Sequence, residues 1–90
     1  MTETDPAAIV MYTTSWCGDC RRAKRVFADL GVPYIEINIE ETPLAAEVVR
    51  RFNDGMQSVP TIVFPDGALL TEPSNQALAA QLQRYMASGR

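Results

Sequence analysis

Two cysteines three positions apart, Cys17 and Cys20, sit where an apolar run gives way to a helical stripe. Ile9 to Tyr12 is short and apolar and ends in Thr13-Thr14-Ser15, the pattern of a buried strand running into a loop. From Cys20 the apolar residues fall at Ala23, Phe27 and Leu30, with Val26 beside them, and stop at Gly31 and Pro33. That spacing predicts a first helix from about Gly18 to Leu30. Any fold available to the chain must therefore carry both sulfurs at a strand-to-helix turn. So short a loop between two cysteines restrains the unfolded chain much less than a long-range bridge does, so the pair is not read as a structural staple.

The rest of the chain repeats the alternation. Tyr34-Ile35-Glu36-Ile37-Asn38-Ile39 has period two, which puts Ile35, Ile37 and Ile39 on one face of a second strand. Thr42 is placed to cap a second helix, with Pro43 at its first position, where a missing N–H does no harm. Ala45, Val48, Val49 and Phe52 form that helix's apolar face, and Asn53-Asp54-Gly55 ends it. Thr61-Ile62-Val63-Phe64 and Ala68-Leu69-Leu70-Thr71 are strand candidates joined by Pro65-Asp66-Gly67, a hairpin signal. Ser74 or Asn75 can cap a last helix whose Leu78, Leu82, Tyr85 and Met86 face the core. The ends, residues 1–6 and 88–90, are expected to fray.

The order β-α-β-α-β-β-α predicts an α/β domain, a four-stranded mixed sheet flanked by three helices in the thioredoxin-like arrangement. A C-x-x-C between the first strand and first helix of that pattern reads as a redox motif. Ninety residues, 47% of them hydrophobic, suffice for one core and no second one, so residues 1–90 are read as a single domain. A net charge of −3 argues against nucleic acid or an anionic membrane surface as partner, although acidic partners are not excluded locally. No apolar run approaches the ~20 residues that span a bilayer, and the first residues are acidic and polar, so the chain reads as cytoplasmic.

The spacing of three sets the chemistry. With Cys17 before the helix and Cys20 one turn in, their Cβ atoms stand about 5–6 Å apart, close enough for a small adjustment to form a disulfide. First-turn amides lack intrahelical partners and carry partial positive charge, which stabilises a thiolate at Cys17. Cys20 shares the stripe of Ala23 and Phe27 and should be the more buried of the two. Cys17 is thus expected to be the exposed nucleophile and Cys20 the resolving thiol that attacks the Cys17 sulfur and frees the partner. Asp19 opposes the thiolate, by roughly 0.6 kcal/mol at about 7 Å in water and 2.4 at an effective dielectric of 20. Arg21 and Arg22 are candidates to compensate it. A zinc site would need four ligands, and the chain has no histidine and no third cysteine.

Ser58-Val59-Pro60 precedes the third strand, where proline removes no needed ladder bond. Together with the upstream dithiol it resembles the cis-proline loop of the thioredoxin superfamily. The resemblance covers nearly the whole chain and implies a cis Val59-Pro60 bond, with the Val59 backbone aligning a substrate's cysteine. Length and the strand after Val-Pro look like a glutaredoxin. The stretch from Tyr12 to Gly18, with Val59-Pro60-Thr61, Asp66-Gly67 and Pro73-Ser74, is most similar to the mycoredoxins of actinobacteria. Asp19 departs from their Cys-Gly-Tyr-Cys, and Thr71-Glu72-Pro73-Ser74 replaces the Gly-Gly turn of ordinary glutaredoxins.

That resemblance implies an enzyme that reduces mixed disulfides between proteins and a low-molecular-weight thiol through Cys17 and Cys20. Mycothiol, or else glutathione, would be the reducing co-substrate, recharged by an NADPH-dependent reductase. No tightly bound cofactor or metal is implied, and a monomer is expected. Trp16, Ser58, Val59 and Pro60 are the implied substrate-binding residues, with Ser74 and Asn75 holding the thiol's polar end. Gln57 is a further groove candidate, and Arg50 and Arg51 could reach a ligand's polar group. A glutaredoxin-like donor to ribonucleotide reductase, recharged by thioredoxin reductase, uses the same chemistry; an iron–sulfur carrier or a redox sensor would not turn over.

Overall fold

The computed structural model describes residues 8–88. Seven elements follow one another: β1 (Val10–Thr13), α1 (Gly18–Leu30), β2 (Ile35–Asn38), α2 (Pro43–Phe52), β3 (Thr61–Val63), β4 (Leu69–Thr71) and α3 (Asn75–Ala87). They build one mixed sheet in the order β2-β1-β3-β4. β1 runs parallel to β2, with Val10 opposite Ile35, and antiparallel to β3, with Met11 opposite Ile62. β3 and β4 form the antiparallel hairpin anticipated from Pro65-Asp66-Gly67, with Ile62 opposite Leu70. Gly67 closes that turn at φ +92°, a conformation in which a side chain would be strained.

Because side chains alternate along a strand, the central strand β1 feeds two cores. On one face Ile9 and Met11 pack with Ile62, Phe64 and α1's Ala23 and Phe27, closed off by α3's Leu78 and Leu82. On the other face Tyr12 and Ile37 lie against Ile39, Val49 and the two cysteines. Helices α1 and α3 therefore share one face and α2 takes the other. Phe27, with no solvent exposure, meets Tyr34 in a tilted ring pair with centroids 4.5 Å apart, and Phe64 meets Tyr85 edge-on at 5.9 Å.

Helix ends explain why α1 begins and stops where it does. Its N-cap is Cys17 itself, in extended conformation, and its C-cap Gly31 is left-handed at φ +69°, donating to Ala28 O while Val32 N–H donates to Phe27 O. Several expectations need correction. Thr42 does cap α2, yet only through its carbonyl, which accepts from Ala45 and Ala46; its hydroxyl makes no capping bond. Ala46 is buried in α2 where Phe52 was expected, because Phe52 is the helix's last residue and stands 42% exposed. Met86 is likewise exposed near the end of α3, where Tyr85 makes the core contact.

Ser88, expected to fray, instead C-caps α3, its N–H donating to Arg84 O and its hydroxyl to Tyr85 O. The fraying expected of 1–6, 89 and 90 lies outside the described residues. Among the described residues no helix is long and apolar enough to cross a membrane.

Candidate active site

The site begins where β1 ends. Thr14, Ser15 and Trp16 carry the chain from the sheet to α1, and Cys17 arrives at the helix start with its sulfur turned back over the first turn. The Cys20 N–H donates to the Cys17 sulfur at 3.0 Å, so one of the helix's orphan amides is satisfied by sulfur, the arrangement that stabilises negative charge there. The Cys17 S–H in turn donates to the Val59 carbonyl at 3.7 Å. Both cysteines are free thiols. Cys17 was expected to be exposed and is 7% so, because Val59 and the helix start enclose it. It remains more accessible than Cys20, at 1%.

Burial pushes the Cys20 thiol up to about 12, and the hydrogen bond and charge it shares with Cys17 push the same way. The Thr14 backbone and the charge of Lys24 act in the opposite direction and do not offset this. Cys20 is therefore a protonated thiol at neutral pH.

Val59-Pro60 is a cis peptide, as the resemblance implied. The loop is held from two sides. Thr61 Oγ1 donates to Ser58 O at 2.7 Å, and Asn53 at the end of α2 donates to that same hydroxyl at 3.1 Å and to Val49 O at 2.8 Å. Thr71 Oγ1 of β4 donates to Asn53 Oδ1 at 2.7 Å. On the other side Glu72 N–H donates to Pro60 O at 2.8 Å, with Glu72 itself at φ +48°. Asn53 was read only as a helix-end signal. It is the brace that ties α2 and the hairpin to the cis-proline loop.

Trp16 is 71% exposed, yet it is not loose: its indole N–H donates to Glu40 Oε2 at 2.7 Å, and Glu40 Oε1 accepts the Ser15 N–H at 3.0 Å. Asn38 completes the latch by donating to Ser15 Oγ and accepting from Glu40 N–H. The Ser15 N–H, foremost among these donors, holds the Glu40 carboxyl below its ordinary range. Asp19, feared as a brake on the thiolate, is paired with Arg22, so its charge is answered locally.

An open groove of about 480 Å³ lies beside the sulfur, walled by Trp16, Asp19, Met56, Gln57, Val59 and Glu72. Of the residues expected to bind substrate, Trp16, Ser58 and Val59 line this groove together with Gln57, whereas Pro60 is fully buried and does not; Met56 and Glu72 are lining residues that the sequence did not single out. Ser74 and Asn75 do not line it: the Ser74 hydroxyl caps α3 by accepting from Ala77 N–H at 3.0 Å, and Asn75 faces the neighbouring hollow along α1. Arg50 and Arg51 line a separate shallow site with Glu47, to which Arg50 is paired at 2.7 Å. Among the described residues no group of three or more His, Cys, Asp and Glu side chains is placed to hold a metal ion.

Comparison with known proteins decides the family, because residues 9–69 match that of the glutaredoxins. The chain is a member of the glutaredoxin family. It is 45% identical over 76 residues to a protein of Mycobacterium tuberculosis named as a glutaredoxin, covering 84% of this chain and 90% of that one. Mycoredoxin 1 of Corynebacterium glutamicum is 31% identical over 75 residues, with 83% and 92% covered. Among solved structures, the methanoredoxin of Methanosarcina acetivorans superposes with a TM-score of 0.65 at 32% identity over 81% of this chain and 82% of its own. The glutaredoxin of Methanosarcina mazei Go1 gives 0.64 at 28% identity, covering 86% and 80%. This glutaredoxin has the thioredoxin-like fold and is a glutaredoxin-type thiol–disulfide oxidoreductase.

The different environments of the two sulfurs have a direct consequence. Only thiolate reacts with iodoacetamide, and a raised pKa moves a thiol's reactive window to higher pH. The reduced glutaredoxin at about pH 8 should take one adduct, on Cys17, with Cys20 labelling rising only as pH climbs toward 12. Peptide mapping by mass spectrometry reads this out, and equal labelling of both cysteines at neutral pH would contradict it.

Proposed function

We propose that this glutaredoxin reduces mixed disulfides between proteins and a low-molecular-weight thiol, mycothiol, with Cys17 as nucleophile and Cys20 as resolving thiol. The observation that carries the chemistry is the Cys17 sulfur, held between the Cys20 amide at 3.0 Å and the Val59 carbonyl at 3.7 Å beside an open groove. The thiol is inferred from the similarity to mycoredoxin 1. Trp16, Ser58 and Val59 form the docking surface in this reading, and the buried Pro60 acts only by fixing the backbone of the loop that carries Val59. The enzyme works in the cytoplasm as a monomer and holds no tightly bound cofactor.

The Cys17 thiolate attacks the small thiol's sulfur in the mixed disulfide, and the target protein leaves as a thiolate that takes up a proton. Cys17 is now joined to the small thiol. A second molecule of that thiol attacks the joined sulfur, regenerates the Cys17 thiolate and leaves as the small thiol's own disulfide, which an NADPH-dependent reductase returns to thiol. With a protein disulfide the intermediate is instead resolved within the chain: Cys20 loses its proton, attacks Cys17 and expels the substrate thiolate, leaving a Cys17–Cys20 disulfide. A substrate strand beside the Val59 backbone meets the sulfur in line with its own cysteine.

Oxidised protein offered NADPH-coupled mycothiol, glutathione and thioredoxin systems in parallel should be recharged fastest by mycothiol. Recharging by thioredoxin reductase alone would replace this reading with that of a donor to an enzyme such as ribonucleotide reductase.

A further inference from the structure

The geometry points to a second subsite, a cationic hollow along α1 that docks an acidic segment of the protein substrate a few residues from its reacting cysteine. The molecule as a whole is acidic, at −3, yet four of its eight Lys and Arg residues stand on α1: Arg21, Arg22, Lys24 and Arg25. Two are committed, Arg22 to Asp19 and Lys24 to Glu36 at 2.7 Å. Arg21 and Arg25 form no ion pair among the described residues and are exposed. One turn apart, they lie on the same face of the helix.

Between α1 and the start of α3 that face opens into a hollow of about 590 Å³, lined by Gly18, Asp19, Arg21, Arg25, Asp29 and Asn75. It shares Gly18 and Asp19 with the groove beside Cys17. Arg21 reaches back to that junction: a Cβ placed on Gly18 would lie 3.8 Å from its Nη2. Arg25 is eight residues beyond Cys17, about 12 Å along the helix axis. An extended peptide covers that span in about four residues.

These positions select the occupant. A polyanion would be repelled by the chain's net charge, whereas two unpaired guanidinium groups suit a short run of carboxylates. Asp19 is answered by Arg22, and Asp29, one turn beyond Arg25 on the same face, offsets only part of the remaining charge, so the three arginines of the hollow outnumber its two carboxylates. Asn75, expected to hold a small thiol's polar end, lines this hollow instead.

The test is a single turnover of pre-reduced protein with symmetrical peptide disulfides, so no recharging thiol enters and the identity of that thiol has no bearing on the result. Each turnover oxidises the Cys17–Cys20 dithiol and releases two peptide thiols, which are quantified by chromatography. One peptide carries glutamates three to five residues from its cysteine, the other glutamines. The acidic peptide should react ~10-fold faster at low ionic strength, the advantage fading as salt screens it. Arg21→Gln/Arg25→Gln should remove that preference while the neutral peptide stays within about twofold, and Arg84→Gln on α3 should retain it.

Absence of the preference in the unaltered protein, or its survival in the double variant, would overturn the subsite. An equal fall for the neutral peptide would do so as well, since it would place the arginines in the sulfur chemistry rather than in docking. The mixed disulfide of a small acidic thiol serves as a further arm, and a comparable loss there would assign the arginines to the thiol instead of a protein segment.

Discussion

Cys17→Ser loses disulfide reduction by at least roughly 10³-fold, about 4 kcal/mol in the activation barrier, with every substrate and every recharging system. A serine hydroxyl is a far weaker nucleophile than a thiol, and it cannot form the mixed disulfide on which both routes depend. Cys20→Ser separates them. The reaction with a small-thiol mixed disulfide needs only Cys17 and continues, whereas reduction of a protein disulfide stalls as a trapped substrate–Cys17 adduct. Both variants are judged by turnover with each substrate class and by intact-mass detection of the adduct. Full activity in Cys17→Ser would end the assignment of roles, and so would unimpaired protein disulfide reduction in Cys20→Ser.

The second large effect is structural. Phe27 has no solvent exposure, sits on the face of α1 that meets Ile9, Met11 and Ile62, and packs its ring against that of Tyr34. Truncation to alanine removes the ring and leaves a void that the two-layered core cannot close, at a cost of about 3–5 kcal/mol. For a domain of this size the whole stability is on the order of 5–13 kcal/mol, so Phe27→Ala leaves a marginal protein. Thermal unfolding should fall by roughly 15–30 °C, and Phe27→Leu by much less. A drop under about 5 °C for the alanine variant would mean that α1 is held to the sheet by other contacts. Because α1 presents both cysteines, the same variant tests how firmly the core positions the chemistry.

Particular residues show what could be read without the structure. The helix from Gly18 to Leu30 was legible to its ends because its signals are local: apolar spacing of three and four, and a glycine where the chain must turn left-handed. The hairpin around Gly67 was legible from turn chemistry, whereas the cis Val59-Pro60 bond was expected only through the resemblance to the thioredoxin superfamily. Helix ends were less so. Phe52 and Met86 fit the apolar period, but both fall where their helices run out, and period alone does not say how far the covering sheet extends.

The site divided along the same line. Sequence alone determined the dithiol, its place at a helix start and the order of burial of the two sulfurs, because a helix's first turn and its apolar stripe are properties of adjacent residues. Tertiary structure decided that Cys17 is enclosed rather than exposed, since the Val59 carbonyl that covers it comes from 42 residues away. It decided also that Glu40 latches Trp16 across 24 residues and that Asn53 braces the cis-proline loop through Thr61 and Thr71. Such pairings follow from strand register and helix placement, which no local period encodes. The dithiol was written in the motif, and the walls around it were set by the fold.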